Sequence, residues 1–315
     1  MKKRPFCLLA VFTLVSPEIF AQPAFALPAA NKMIVDPALT ATDTAYKNNV
    51  SVYGKTMVEN IPSQIIYNIF LATYERRLDK INSGIGIMIN ENTENVYSQI
   101  SAKIYYRYTL LPGLSVGIDA GAVNLRESYT FESFEYYPPR VFKVYNQGTA
   151  FDCEAGISYK FKSLYAGFSI DHINNPQYAF DDYNNDGSKF PTGSKPMFNY
   201  TGLSCDGIIG GYIGKPNAGI DMSISYRDFN LDANISFVSS HFFVGVSYLS
   251  GNYFNYASSD YTAADIYNSQ EDYLALMGGI MVCHKKIKAS FAYSFYVGIM
   301  QQQSYPVELG ITYSF

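Results

Sequence analysis

The chain has 315 residues, 48% of them apolar and 16% charged, with a formal net charge of −4 at pH 7. So much apolar surface with so little charge excludes a disordered polymer, and the mild acidity argues against nucleic-acid binding. Aromatics are abundant, with 29 Tyr and 22 Phe against no Trp, which suits β-structure crossing a membrane interface.

At the start, Lys2, Lys3 and Arg4 precede an apolar run from Phe6 to Val15 and then Ile19-Phe20-Ala21. A positive stretch, a short apolar stretch and a small residue in that order make residues 1–21 a signal peptide cleaved before Gln22, with Ala24-Phe25-Ala26 as a second possible site. The apolar run is about half the roughly 20 residues that a membrane-spanning helix needs. Cleavage removes three basic residues and one acidic residue, so the net charge moves from −4 to −6. Residues 22–47 are then expected to form a periplasmic N-terminal segment, and residues 48–315 the membrane domain.

Beyond the signal no run of 18 apolar residues occurs, so helical spans are excluded. Short alternating ladders recur instead. Phe151, Cys153, Ala155, Ile157, Tyr159 and Phe161 alternate with Asp152, Glu154, Gly156, Ser158 and Lys160, which gives a strand one apolar and one polar face. The same period of two runs through 220–227, 231–237, 287–295 and 307–315. Extended along the chain, it predicts about fourteen strands, near 48–58, 65–77, 83–91, 96–109, 114–127, 149–161, 164–172, 197–213, 218–227, 229–237, 241–250, 271–283, 286–296 and 304–315.

The predicted connections sort by parity. Those at 78–82, 110–113, 162–163, 214–216, 238–240 and 284–285 are short, whereas the three longest, 128–148, 173–196 and 251–270, all fall on the other side. Outer-membrane barrels have short periplasmic turns and long outside loops, and an even strand number returns both termini to one side. The fold class is therefore all-β, a single transmembrane antiparallel barrel. Closure is required because hydrocarbon offers no partner to an unpaired backbone N–H or C=O. Apolar faces then meet lipid, and Asp152, Glu154, Lys160, Asp221, Arg227, Asp232, Lys288 and Glu308 face the interior, their mixed signs suited to internal ion pairs. The C-terminal Phe315 on an alternating strand agrees with this reading.

Few residues carry a chemical signal. Cys153, Cys205 and Cys283 remain after Cys7 leaves with the signal, an odd number without CxxC spacing, and are expected to be small apolar packing residues. Gly113-Leu114-Ser115-Val116-Gly117 matches G-x-S-x-G, but a nucleophile elbow needs a following helix, and here a strand is predicted. Asp182, Asn184 and Asp186, with Gly187, have the first part of a calcium-loop pattern; Gly193 stands where the bidentate carboxylate belongs, so the choice is a loop-bound calcium or a solvated turn. His172 is predicted at the outer end of its strand, and His241 and His284 at the periplasmic side, so they do not share a metal. No cofactor and no catalytic residue is expected, and the chain is read as not an enzyme. The long loops carry the aromatic clusters Phe131, Phe134, Tyr136, Tyr137, Phe142 and Tyr253, Phe254, Tyr256. So many rings beyond the bilayer either fold inward or form a docking patch.

Val35-Asp36-Pro37-Ala38-Leu39-Thr40, Phe168 to Pro176 and Glu308 to Phe315 together resemble the PorP/SprF family, outer-membrane components of the type IX secretion system in Bacteroidota. This chain has Asp36 where the family commonly has Asn before Pro-Ala, and Ala41 where it commonly has Gly. The resemblance implies a noncatalytic barrel of the secretion and gliding machinery, supporting export or display of large cell-surface proteins. Implied partners are outer-membrane lipids, the periplasmic lipoprotein ring and the secreted surface proteins. The alternative is a general porin or an outer-membrane transporter for hydrophobic compounds.

Overall fold

A computed structural model describes residues 25–42, 46–58, 66–94, 97–133, 140–176, 203–215, 217–227, 230–251, 271–283, 285–297 and 306–315. Alternating residues extend the backbone into fourteen strands: β1 (Asn48–Val58), β2 (Ile66–Leu78), β3 (Ser83–Glu94), β4 (Tyr97–Leu111), β5 (Leu114–Ser133), β6 (Arg140–Phe161) and β7 (Leu164–Asp171), followed by β8 (Ser204–Lys215), β9 (Ala218–Arg227), β10 (Asn230–Ser239), β11 (Phe242–Gly251), β12 (Glu271–Val282), β13 (Ile287–Tyr296) and β14 (Val307–Ser314). Each strand pairs antiparallel with its neighbours in sequence, and β1 pairs with β14, so the sheet closes into a barrel. At the seam Asn48 and Phe315 exchange backbone N–H···O bonds of 2.9 Å in both directions. No edge is left along this ladder for hydrocarbon to strip. Among the described residues no helix is long and apolar enough to cross a membrane.

Strand number and hand of alternation agree with the sequence expectation. Ile104, Ile118, Phe151, Ile157, Ile209, Leu309 and Ile311 point outward and are exposed on the isolated chain. Near the short-turn end the outward residues become aromatic, with Tyr106, Tyr108, Tyr159, Phe161, Tyr313 and Phe315, as a girdle at the bilayer interface requires. Inward, Asp152, Glu154, Arg227, Asp232 and Glu308 are fully buried.

Three expectations need adjustment. Residues 128–148 are not one loop: β5 runs on to Ser133 and β6 begins at Arg140, with Phe131 opposite Phe142. Their ladder continues because aromatic and β-branched residues keep pairing beyond the stretch of strict alternation. Cys283 sits exposed at positive φ after β12 rather than packed, and none of the three described cysteines forms a disulfide. Residues 25–27 and 33–41, expected to belong to a periplasmic segment, are buried within the barrel.

Candidate functional site

The interior of the barrel is occupied by the chain's own N-terminal segment. Pro28 opens a one-helix insert, α1 (Pro28–Val35), Pro being favoured at the first helical position where its missing N–H is not needed. Asp36 ends the helix and caps a following 3-10 turn, Pro37–Leu39, its side chain accepting the Ala38 N–H at 2.7 Å. Phe25, Ala26 and Leu27, Met33 to Leu39, Thr40 and Ala41 are all buried. An aqueous tail does not keep so many apolar side chains; this segment is a plug.

Barrel polar groups satisfy the plug's backbone. Glu308 on β14 accepts the N–H groups of Ala26 and Leu27 at 2.9 and 3.2 Å, and Glu75 on β2 accepts that of Ala41 at 2.7 Å. Ser158 on β6 and Ser169 on β7 donate to the carbonyls of Ala38 and Val35 at 3.0 and 2.7 Å. Buried peptide groups without such partners would each cost about 1–3 kcal/mol.

Glycines make the seat. Gly117 on β5 pairs with Gly156 on β6, and Gly167 lies on β7 beside them. A Cβ on Gly117 would overlap the backbone of Pro37 and Ala38, and Cβ atoms on Gly156 and Gly167 would overlap the two carboxyl oxygens of Asp36. On β3, Gly84 and Gly86 give the same clearance to Thr40, Ala41 and Met33. The inner wall is thus hollowed where the Asp-Pro-Ala turn meets it.

Around the plug the wall has two characters. Tyr53, Leu71, Met88 and Tyr105 on β1–β4, with Phe243, Leu249, Tyr273 and Met277 on β11 and β12, form an apolar core with Phe25, Leu27 and Met33. The opposite wall is charged. Lys103 Nζ on β4 lies 3.3 Å from Asp119, 3.2 Å from Asp152 and 3.9 Å from Glu154, and Arg227 lies 3.9 Å from Asp232. At the outer end of β7, His172 Nδ1 is 2.9 Å from Asp152 Oδ1. Burial lowers the His172 pKa, but its hydrogen bond to Asp152 and that carboxylate's charge outweigh this, and the net shift is upward. The expectation of internal ion pairs thus holds at Asp152, Glu154, Arg227, Asp232 and Glu308, the last paired with Lys55 at 3.4 Å.

Of the sequence candidates, Phe131 and Phe142 lie on the β5–β6 ladder. Phe134, Tyr136, Tyr137, Tyr253, Phe254 and Tyr256, together with Asp182, Asn184 and Asp186, fall outside the described residues. The G-x-S-x-G stretch occupies the β4–β5 turn and the first residues of β5, with no helix after it; Ser115 Oγ lies 3.2 Å from Thr109 Oγ1. Its second glycine, Gly117, serves the plug.

The family model for the type IX secretion system membrane protein PorP/SprF matches residues 22–313. The chain belongs to the PorP/SprF family. Its match begins ahead of the plug and runs nearly to the end of β14, so plug and barrel fall within one family unit. No curated protein sequence matches the chain. Among solved structures, the CymD monoaromatic hydrocarbon channel superposes with a TM-score of 0.56 at 11% identity, covering 94% of this chain and 95% of that one. A FadL homologue from Pseudomonas aeruginosa gives 0.57 at 10% identity, covering 89% and 93%. At such identity the likeness is one of fold: this PorP/SprF chain is an outer-membrane barrel of the same architecture.

Proposed function

We propose that this PorP/SprF protein is a noncatalytic component of the type IX secretion and gliding machinery that supports export or display of large cell-surface proteins by binding partners. The observation that carries this is the family match over a barrel whose lumen is filled by residues 25–41. A lumen occupied by its own chain favours a docking platform over an open pore. Residues 1–21 act as a cleaved signal peptide that directs the chain to the outer membrane of a Bacteroidota cell. Docking falls to the aromatic clusters Phe131, Phe134, Tyr136, Tyr137, Phe142 and Tyr253, Phe254, Tyr256 on the long-loop side, and contact with the periplasmic lipoprotein ring to the short-turn side. A weak calcium loop at Asp182, Asn184 and Asp186 would stiffen the outer face. The test is a clean deletion followed by proteomics of the cell surface: selective loss of particular surface proteins is expected, and an unchanged surface proteome would overturn the reading.

A second reading is a channel for hydrophobic compounds. It is favoured by the apolar inner wall of Tyr53, Leu71, Met88, Tyr273 and Met277, and by the fold shared with a protein described as a monoaromatic hydrocarbon channel. It requires hydrocarbon uptake to fall in the deletion strain while surface proteins stay in place.

A further inference from the structure

We propose that the Asp36 carboxyl is a proton-operated latch, holding the plug in the glycine notch of β5, β6 and β7 when neutral and loosening it when ionised. The carboxyl is fully buried, and its two oxygens fill the space that Cβ atoms of Gly156 and Gly167 would take. That fit leaves no room for the hydration shell a carboxylate needs. Two backbone donors, Ala38 N–H at 2.7 Å and Phe168 N–H, face it and partly compensate.

No cation among the described residues is committed to it. On the elements packed against the turn, Lys103 of β4 is held by Asp119, Asp152 and Glu154, and Lys32 of α1 lies 4.7 Å over the Tyr165 ring of β7. Lys160 of β6 reaches the Thr42 carbonyl at 3.5 Å, and Arg107 of β4 lies by Gly84. The other carboxyl groups on those strands are Asp119 on β5, Asp152 and Glu154 on β6 and, acting on Asp36 directly, Asp171 on β7. Burial, reinforced by Asp171, raises the Asp36 pKa from 3.8 to about 8.

The sign follows from proton linkage. The seated plug keeps the proton and the released plug, with Asp36 in water, gives it up. Release therefore becomes easier by up to about tenfold per pH unit between roughly 4 and 8, and levels off above 8. The plug sits tightest in acid.

Full-length chain carrying Thr40→Cys, with its other cysteines changed to Ser, is folded into lipid vesicles and labelled with a water-soluble maleimide from pH 5.5 to 9. The same chain with Asp36→Asn is labelled in parallel, so that thiol ionisation cancels in the ratio of the two rates. The ratio is expected to climb at least tenfold between pH 5.5 and 8 and then flatten. A ratio constant across the range overturns the latch. Should Thr40→Cys prevent insertion, the ratio of tryptic cleavage rates after Lys32 in the natural chain and in Asp36→Asn reads the same quantity from pH 6 to 9, with the same two outcomes.

Discussion

The carboxylate of Glu308 accepts the backbone N–H of Ala26 at 2.9 Å, tying the plug to the strand that closes the barrel. The same carboxylate pairs with Lys55 on the first strand, so seam, plug and ion pair share one buried group. Glu308→Ala leaves two plug N–H groups unsatisfied and takes a carboxylate partner from the buried Lys55 ammonium, and is expected to cost about 3–5 kcal/mol. Urea unfolding in lipid should show this, with the double variant Lys55→Met, Glu308→Gln recovering part of the loss; a Glu308→Ala midpoint equal to the natural one would contradict the contact.

Enlarging the seat's glycine should expel the plug without opening the wall. In Gly117→Val the new side chain meets the backbone of Pro37 and Ala38, a misfit worth about 1–3 kcal/mol. Heat-resistant migration on a gel should persist, reporting an intact barrel, while protease cuts residues 25–41 more readily than in the natural chain.

A pH response is also expected at the outer end of β7. Because the His172 pKa is raised on folding, its pairing with Asp152 contributes stability fully below the unfolded value near 6.5, and this is lost as pH rises through the folded value. His172→Gln should flatten that part of the stability profile while leaving the part due to Asp36 in place. Unfolding midpoints measured from pH 5 to 9 distinguish the two.

Lipid exposure makes a depth-dependent prediction. Ile104 lies at the middle of β4 and points outward, so Ile104→Arg should cost about 2–4 kcal/mol in lipid. Tyr108→Arg, four residues along the same strand and nearer the interface, should cost about 1 kcal/mol or less. Equal penalties at both positions in vesicle-folding titrations would place the bilayer elsewhere.

Fourteen strands were legible because lipid and lumen impose opposite polarities on successive residues, as Phe151 to Phe161 display. The extended β5–β6 ladder was not, since on its β6 side Val141-Phe142 and Val144-Tyr145 stand as adjacent apolar pairs that break the alternation. The apolar wall was hidden for a related reason: on β12, Tyr273, Ala275 and Met277 face in while Leu274 and Leu276 face out, so both faces read as apolar. The plug was concealed by its position after a signal-like stretch, where residues 22–47 look like a tail. Its signal was nonetheless present in the apolar residues Phe25, Leu27, Met33, Ile34, Val35 and Leu39, and in glycines at inward positions 117, 156 and 167, where an empty lumen has no use for them.

Backbone amide exchange over residues 25–41, measured by mass spectrometry on the full chain folded in lipid, addresses the plug most directly. Protection comparable to that of the barrel strands is expected, strongest at Ala26, Leu27, Ala38 and Ala41, whose N–H groups are bonded to the carboxyl groups of Glu308, Asp36 and Glu75. Exchange at the rate of an unstructured peptide would put the segment in water and contradict a barrel filled by its own N-terminus.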